Sequence, residues 1–246
     1  TIKITGGTIT QNGTGHAITN NTKGTVEVSG GTITSAGNSG IINSSTGTIN
    51  VTGSSAKITG SGYGVDARKG IAKITAGTVS ATAGTGANVN GGTLTVGTSG
   101  GTPSTTTPSI TGTTYGVLVS SGKFNFYDGI IKGADGQSIS GTVSEVESGY
   151  GINKKTSNSI ETAILVKANY QNTTSGSYYD TLASALSNSA SETTIKVLES
   201  VTETTAPTVS SGKTLEINFN GKTTAFSGIT LVNNGTLTIG NATGGA

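Results

Sequence analysis

The stretch Thr25–Gly40, TVEVSGGTITSAGNSG, holds the unit from which the fold is read. Its opening alternation puts Val26 and Val28 on one face and Glu27 on the other, the period of a strand with one buried side. Two glycines interrupt it, and Thr-Ile-Thr resumes with Ile33 as the inward residue. Nearly the same wording appears as TIKITGGTITQNGTGH from Thr1, TINVTGSSAKITGSGYG from Thr48 and IAKITAGTVSATAGTG from Ile71. With TLTVG at Thr93, the starts at 1, 25, 48, 71 and 93 lie 24, 23, 23 and 22 residues apart. A longer interval containing TSGGTPSTTTPS then leads to KFNFYDGIIKG at Lys123. Self-similarity at this period marks a repeat architecture, each unit stacking on the next.

Each unit has three beats. The first is the alternating strand, with Ile2 and Ile4, Val26 and Val28, Ile49 and Val51, or Ala72 and Ile74 inward. The second carries Ile9, Ile33, Ile58 or Val79. The third is GHAIT, SGIIN, YGVDA or GANVN, and Gly-rich corners separate the beats. Tyr63-Gly64-Val65 recurs as Tyr115-Gly116-Val117 and Tyr150-Gly151-Ile152, so the phase is expected to survive the longer interval. Three short strands and three corners in about 23 residues predict an all-β chain folded as a parallel β-helix solenoid, one rung per repeat. A leucine-rich repeat would need Leu and Asn at positions where they are missing, and a propeller would need longer blades.

Composition supports order and excludes several functions. Gly makes up 40 of 246 residues and only 11% are charged, but the β-branched residues recur too regularly for a disordered linker. There is no Cys, which removes disulfides, thiolate metal sites and a cysteine nucleophile. A formal net charge of +2 with the signs interspersed gives no footprint for nucleic acid or an anionic membrane. No 18-residue apolar run and no signal peptide are present, and direct membrane insertion is not expected. The chain starts at Thr and lacks Met, and is read as a piece of a longer or processed protein.

The wording changes near Ser159. IETAILVKANY reads as a strand and exit, and YYDTLASALSNSA puts Leu182, Ala185 and Leu186 on one helical face behind Ser177 as N-cap. A short helix is therefore expected near 178–188, followed by the strands TTIKVLESV, KTLEINFNGK and TLTIG. A helix before new rungs suits the cap that covers the open end of a solenoid. The expected organisation is the last rungs of a first β-helix over 1–158, a junction over 159–177, and a helical cap with the first rungs of a second β-helix over 178–246. One continuous solenoid with a helical insertion is the alternative. Neither outer end shows a cap in the sequence, so association through the solenoid ends is an expected mode of self-assembly.

The GGTIT and GYGV rungs resemble β-helical repeat regions of large bacterial cell-surface proteins, particularly those of Gram-positive gut-type bacteria. So does the run LASAL, TTIKVLES, SGKTLEINFNGKT and NNGTLTIG. The resemblance covers almost the whole chain and rests on scaffold residues. It implies a right-handed, pectin-lyase-like β-helix, export to the cell surface, and a role as adhesin or stalk. It carries over no catalytic residue and no cofactor.

Many β-helices act on polysaccharides, which requires clustered carboxylates for acid–base work or for Ca²⁺, usually with a cation beside them. Here the 12 acids are spread thinly. Asp66 and Arg68, in VDARKG, form the best local cluster, readable as base and clamp or as an ion pair on a solvated turn. Asp128, Asp135, Glu145 and Glu147 lack the dense spacing of calcium-binding repeats, and Asp-Gly turns account for them. His16 is the only His, has no Ser or Asp partner nearby in sequence, and reads as a surface turn residue. No catalytic residue, metal or cofactor is assigned.

Three non-catalytic surfaces remain. Lys3, Glu27, Asn50 and Lys73 should form an outward row, with Lys3 facing Glu27. Thr8 and Thr10, Thr32 and Thr34, Thr78 and Ser80 give a hydroxyl stripe of the kind that binds ice, interrupted by Lys57. Tyr63, Tyr115 and Tyr150 would offer platforms for a glycan if they point outward, but their place beside Gly favours stacking inside. The sequons at Asn12, Asn20, Asn43, Asn172, Asn234 and Asn241 carry no glycosylation assignment in a chain this rich in Asn, Ser and Thr. The function expected is a stiff structural or adhesive segment of an extracellular bacterial surface protein, with a host or cell-surface glycan or protein as possible partner. A non-catalytic carbohydrate-binding β-helix is the alternative, ahead of a polysaccharide enzyme or an ice-binding protein.

Overall fold

The structure, a computed structural model, describes residues 1–240. The chain folds as two compact units, one of Thr1–Ser148 with Lys154–Leu165, the other of Gly149–Asn153 with the residues from Val166 onward. Among the described residues no helix is long and apolar enough to cross a membrane.

The first unit is a parallel β-solenoid of about 23 residues per turn. Its register makes each predicted inward position a continuous column. On the first strand, Ile2 aligns with Val26, Ile49, Ala72, Leu94 and Phe124, while Ile4 aligns with Val28, Val51, Ile74, Val96 and Phe126. Ile9, Ile33, Ile58, Val79, Ile110 and Ile131 form the second column. The third runs through Ile18, Ile41, Val65, Ala87, Val117 and Ile139. Nearly all of these side chains are fully buried away from the N-terminal coil. Each large aliphatic residue so buried contributes about 1.5–3 kcal/mol, so the coils are held by many small equal terms instead of one globular core. Where Phe124 and Phe126 replace aliphatic residues, their rings stack with centroids 6.1 Å apart.

Glycine sits at the corners for two different reasons. Gly7 turns the chain in the left-handed region, at φ +76, with open space where a Cβ would be. Gly64 is required by proximity: a Cβ there would lie 2.6 Å from Val79 Cγ1 and 2.6 Å from the Gly86 carbonyl. Gly40, Gly86 and Gly116 occupy the equivalent place against Ile58, Ile110 and Ile131. The recurring Tyr-Gly-Val thus needs its Gly for the approach of one strand to the next.

The expected phase continues past the longer interval, with Ser109–Thr111 and Val117–Phe126 in register with the earlier coils. The ladder ends differently. Ile160–Lys167 pairs antiparallel with Ile130–Ala134, placing Ala163 opposite Ile131. Its alternating face buries Glu161, Ala163 and Leu165.

In the second unit Tyr170–Asn172 pairs antiparallel with Tyr178–Tyr179 and with Thr193–Val197. Parallel stacking then resumes, Thr193–Val197 on Thr214–Asn218 and that on Thr236–Gly240. Val201–Glu203 pairs with Thr224–Phe226, and Thr208–Val209 with Val232–Asn233. The helix is Leu182–Ser187, and its expected face, Leu182, Ala185 and Leu186, packs with Tyr170, Ile195, Val197, Leu215 and Ile217. Its start differs from the expectation. Thr181, not Ser177, is the N-cap: it has extended backbone, and its hydroxyl accepts from the Ser184 N–H at 3.2 Å. Tyr178 and Tyr179 are drawn into a strand first, which moves the cap four residues along. Lys213 Nζ donates to the carbonyls of Leu186, Ser187 and Ser189 and so closes the other end.

Candidate functional site

The Asp66 and Arg68 pair is not the solvated turn expected. Arg68 and Lys69 are exposed, but Asp66 belongs to the strand Tyr63–Ala67 and has no solvent exposure. Its Oδ2 accepts from Arg68 Nε at 2.9 Å and its Oδ1 from Asn88 Nδ2 at 2.8 Å. Register places Asn88 beside it on the adjacent coil. The carboxylate is enclosed with donors on both oxygens, the condition under which a buried charge is tolerated.

His16, read from sequence as an isolated surface residue, lies within the field of this pair. It is half-buried, and its Nδ1 accepts from the Ser39 N–H at 3.3 Å, which places the proton of the neutral ring on Nε2. Burial lowers its pKa below 6.5, the Arg68 guanidinium lowers it further, and the Asp66 carboxylate partly offsets both. The only Arg of the chain and the buried Asp66 therefore both act on its only His. The constellation supplies no activated nucleophile, because His16 is bonded to a backbone amide and both Asp66 oxygens are engaged.

Tyr63, Tyr115 and Tyr150 are half-buried, not stacked in the core as their neighbouring glycines suggested. At two of these corners the close approach to the next coil falls to Gly64 and Gly116, and the tyrosines beside them are only partly buried. Tyr63 and Tyr115 lie in the first unit, and Tyr150 in the second.

The outward rows have the expected register. Lys3 pairs with Glu27, then Asn50 and Lys73 follow, and the Lys3–Glu27 ion pair spans 3.4 Å between exposed groups. With Thr5, Ser29 and Thr52, the first three line a groove of about 380 Å³. The threonine stripe runs Thr8, Thr32, Lys57, Thr78, Ser109 and Ile130, so Lys57 breaks it and Ile130 ends it. Thr59 and Ser80 in the parallel row spend their hydroxyls on each other at 3.0 Å.

The other acids serve the scaffold. Asp128 Oδ1 accepts from the N–H groups of Ser104 and Gly129, and both Glu147 oxygens accept from Gly100 N–H, which pins the Gly-rich interval. Glu145 accepts from the Tyr127 hydroxyl and Asp135 from Thr156. Among the described residues no three of His, Asp and Glu converge as a metal-binding group.

Among the described residues, sequence reasoning missed two buried acids, Glu161, which accepts from the Ser138 N–H at 2.8 Å, and Glu203. In the second unit Glu203 Oε1 accepts from the Tyr170 hydroxyl at 2.8 Å and from the Leu182 N–H at 3.1 Å. Tyr170 is fully buried, and that burial, reinforced by Glu203, holds its pKa well above 10.0 against a smaller opposing effect from Thr224. The available signal was the strand period, which puts Glu203 on the same face as Val201. Asn241, last of the sequons, lies outside the described residues. No family model matches the chain, and neither the curated proteins nor the solved structures with which it was compared give a match.

Proposed function

We propose that the chain is a structural and adhesive segment of an extracellular bacterial surface protein, in which stacked coils form a stiff spacer that joins further copies end to end. The observation that carries this reading is the unbroken register of the columns from Ile2 to Phe124 and from Ile9 to Ile131. A scaffold of this kind lengthens by repetition, each added coil burying its own aliphatic set. In the first unit Asp66, Asp128 and Glu147 brace neighbouring coils and loops, as a scaffold requires.

End-to-end joining extends this reading, because parallel coils add to one another by backbone pairing in register, the same contact that links Thr25–Ser35 to its neighbouring coils. Size-exclusion chromatography and negative-stain microscopy across a concentration series test it. Filaments one coil-stack wide that lengthen with concentration are expected; single short particles throughout would reject self-assembly.

The half-exposed rings of Tyr63 and Tyr115 favour a second reading, a non-catalytic surface for a host or cell-surface glycan. A glycan array decides it: binding should be lost in the Tyr63→Ala and Tyr115→Ala variants, and an array blank for the parent chain would eliminate it.

A further inference from the structure

In the second unit a cavity of about 300 Å³ is lined by Lys167, Asn169, Asp180, Thr181, Thr202 and Glu203, among others. Carboxylate, amide and hydroxyl oxygens dominate it, and Lys167 is the only cationic side chain on its wall. Glu203 is 3% exposed. Both of its donors, the Tyr170 hydroxyl and the Leu182 N–H, go to Oε1, while Oε2 is withdrawn from solvent with no hydrogen-bond partner. Leu182 N–H is fixed at the start of the helix, so it cannot serve the other oxygen as well. An unpaired, enclosed carboxylate oxygen is unfavourable unless something positive or hydrogen-bearing meets it.

Asp180 is the second acid of the cavity. Its Oδ1 accepts from Asn169 Nδ2 at 2.8 Å, and Lys167 Nζ stands 3.9 Å from the same oxygen. That ammonium is too distant for a hydrogen bond, and both partners are more than half exposed. The lysine is a loose counter-ion, and another cation can displace it.

We propose that this cavity binds a hydrated divalent cation of the calcium class, with Glu203 Oε2 and the Asp180 carboxylate as its anionic ligands. The donors are hard oxygens, and no His lines the cavity, which disfavours zinc and its relatives. The volume exceeds that of a bare ion, so waters complete the coordination. Calcium tolerates such irregular, partly hydrated shells better than magnesium, which demands a near-ideal octahedron. With two carboxylates the affinity belongs to the weak extracellular class, a Kd on the order of 10⁻⁴–10⁻³ M. Bound calcium would join the Tyr170 strand, the helix start and the Glu203 strand at one point.

Isothermal titration of the whole chain with calcium chloride in chelator-treated buffer tests the site. One saturable event is expected, with magnesium weaker. Asp180→Asn should weaken calcium binding at least about tenfold, the loss of one full charge from the coordination shell. Lys167→Ala should tighten it several-fold by removing the resident competitor. Both positions are well exposed, so these variants should fold; Glu203→Gln, which retains an acceptor for Tyr170 and Leu182, should abolish the event with unchanged circular dichroism. Absence of saturable binding in the parent chain would overturn the proposal and leave Oε2 to water. Unchanged affinity in both Lys167→Ala and Asp180→Asn would overturn it equally, by placing the ion elsewhere.

Discussion

Asp66 Oδ1 accepts from Asn88 Nδ2 at 2.8 Å across one coil step, and both side chains are buried. This amide, more than the exposed Arg68, is what a charge in that position depends on. Asn88→Ala leaves a buried carboxylate short of a donor and should cost about 1–3 kcal/mol. Arg68→Ala removes a half-exposed partner and should cost about 1 kcal/mol or less. Urea midpoints followed by circular dichroism rank the two, and a larger loss for Arg68→Ala would reverse the assignment.

The two kinds of corner glycine respond differently to alanine. At Gly64 the new methyl meets Val79 and the Gly86 carbonyl, so Gly64→Ala should destabilise by about 1–3 kcal/mol or more through overpacking. At Gly7 there is space, and the cost should be only the left-handed backbone penalty of about 1–2 kcal/mol. Thermal melts of the two variants make the comparison; equal losses would mean that proximity is not what Gly64 serves.

Because His16 is the only His, its titration can be followed by proton NMR without assignment. Its midpoint should lie below 6.5, rise in Arg68→Ala, and fall further in Asp66→Asn. A depressed folded-state pKa means that the unfolded chain takes up the proton first. His16 therefore contributes stability above about pH 6.5 that is lost as pH falls through the folded value. A midpoint indifferent to both substitutions would remove the electrostatic link.

Tyr170 gives the opposite dependence. Its pKa is raised from 10.0 by burial, so the hydroxyl stays neutral in the fold after an unfolded tyrosine ionises. The stability it contributes is full below pH 10 and is lost as pH climbs toward the folded-state value. Tyr170→Phe should flatten the decline of the urea midpoint above pH 10 while costing about 1–3 kcal/mol near neutrality, where Glu203 loses one of its two donors. An alkaline slope identical in parent and variant would show that other groups set it.

The helix start offers a direct comparison. Thr181→Ala should cost about 1 kcal/mol and Ser177→Ala almost nothing, measured by urea denaturation. The reverse order would restore Ser177 as the cap.

Much of the scaffold is legible because a coil repeats one local rule. Ile33 predicts Ile58 and Val79 by spacing alone, and the register confirms the column. Lys3 and Glu27 are placed by the same rule, as is Lys57 within the threonine row. Ser177 was misread because cap preference is local, whereas Tyr178 and Tyr179 are recruited by pairing with Tyr170–Asn172. The tyrosine rings were misread because the spacing names the corner but not which of two adjacent residues turns inward.

The candidate sites depend on contacts between residues far apart in the chain. His16 and Asp66 are 50 positions apart, and their coupling needs coils stacked in the correct register. Glu203 meets Tyr170 across 33 positions. The sequence by itself determined the period, the inward columns and the glycine corners, since strand alternation and β-branched burial act within a few residues. Only the tertiary structure decided that Asp66 is enclosed and that one oxygen of Glu203 has no partner, because burial and hydrogen bonding belong to the neighbours a fold assembles, not to the residue itself.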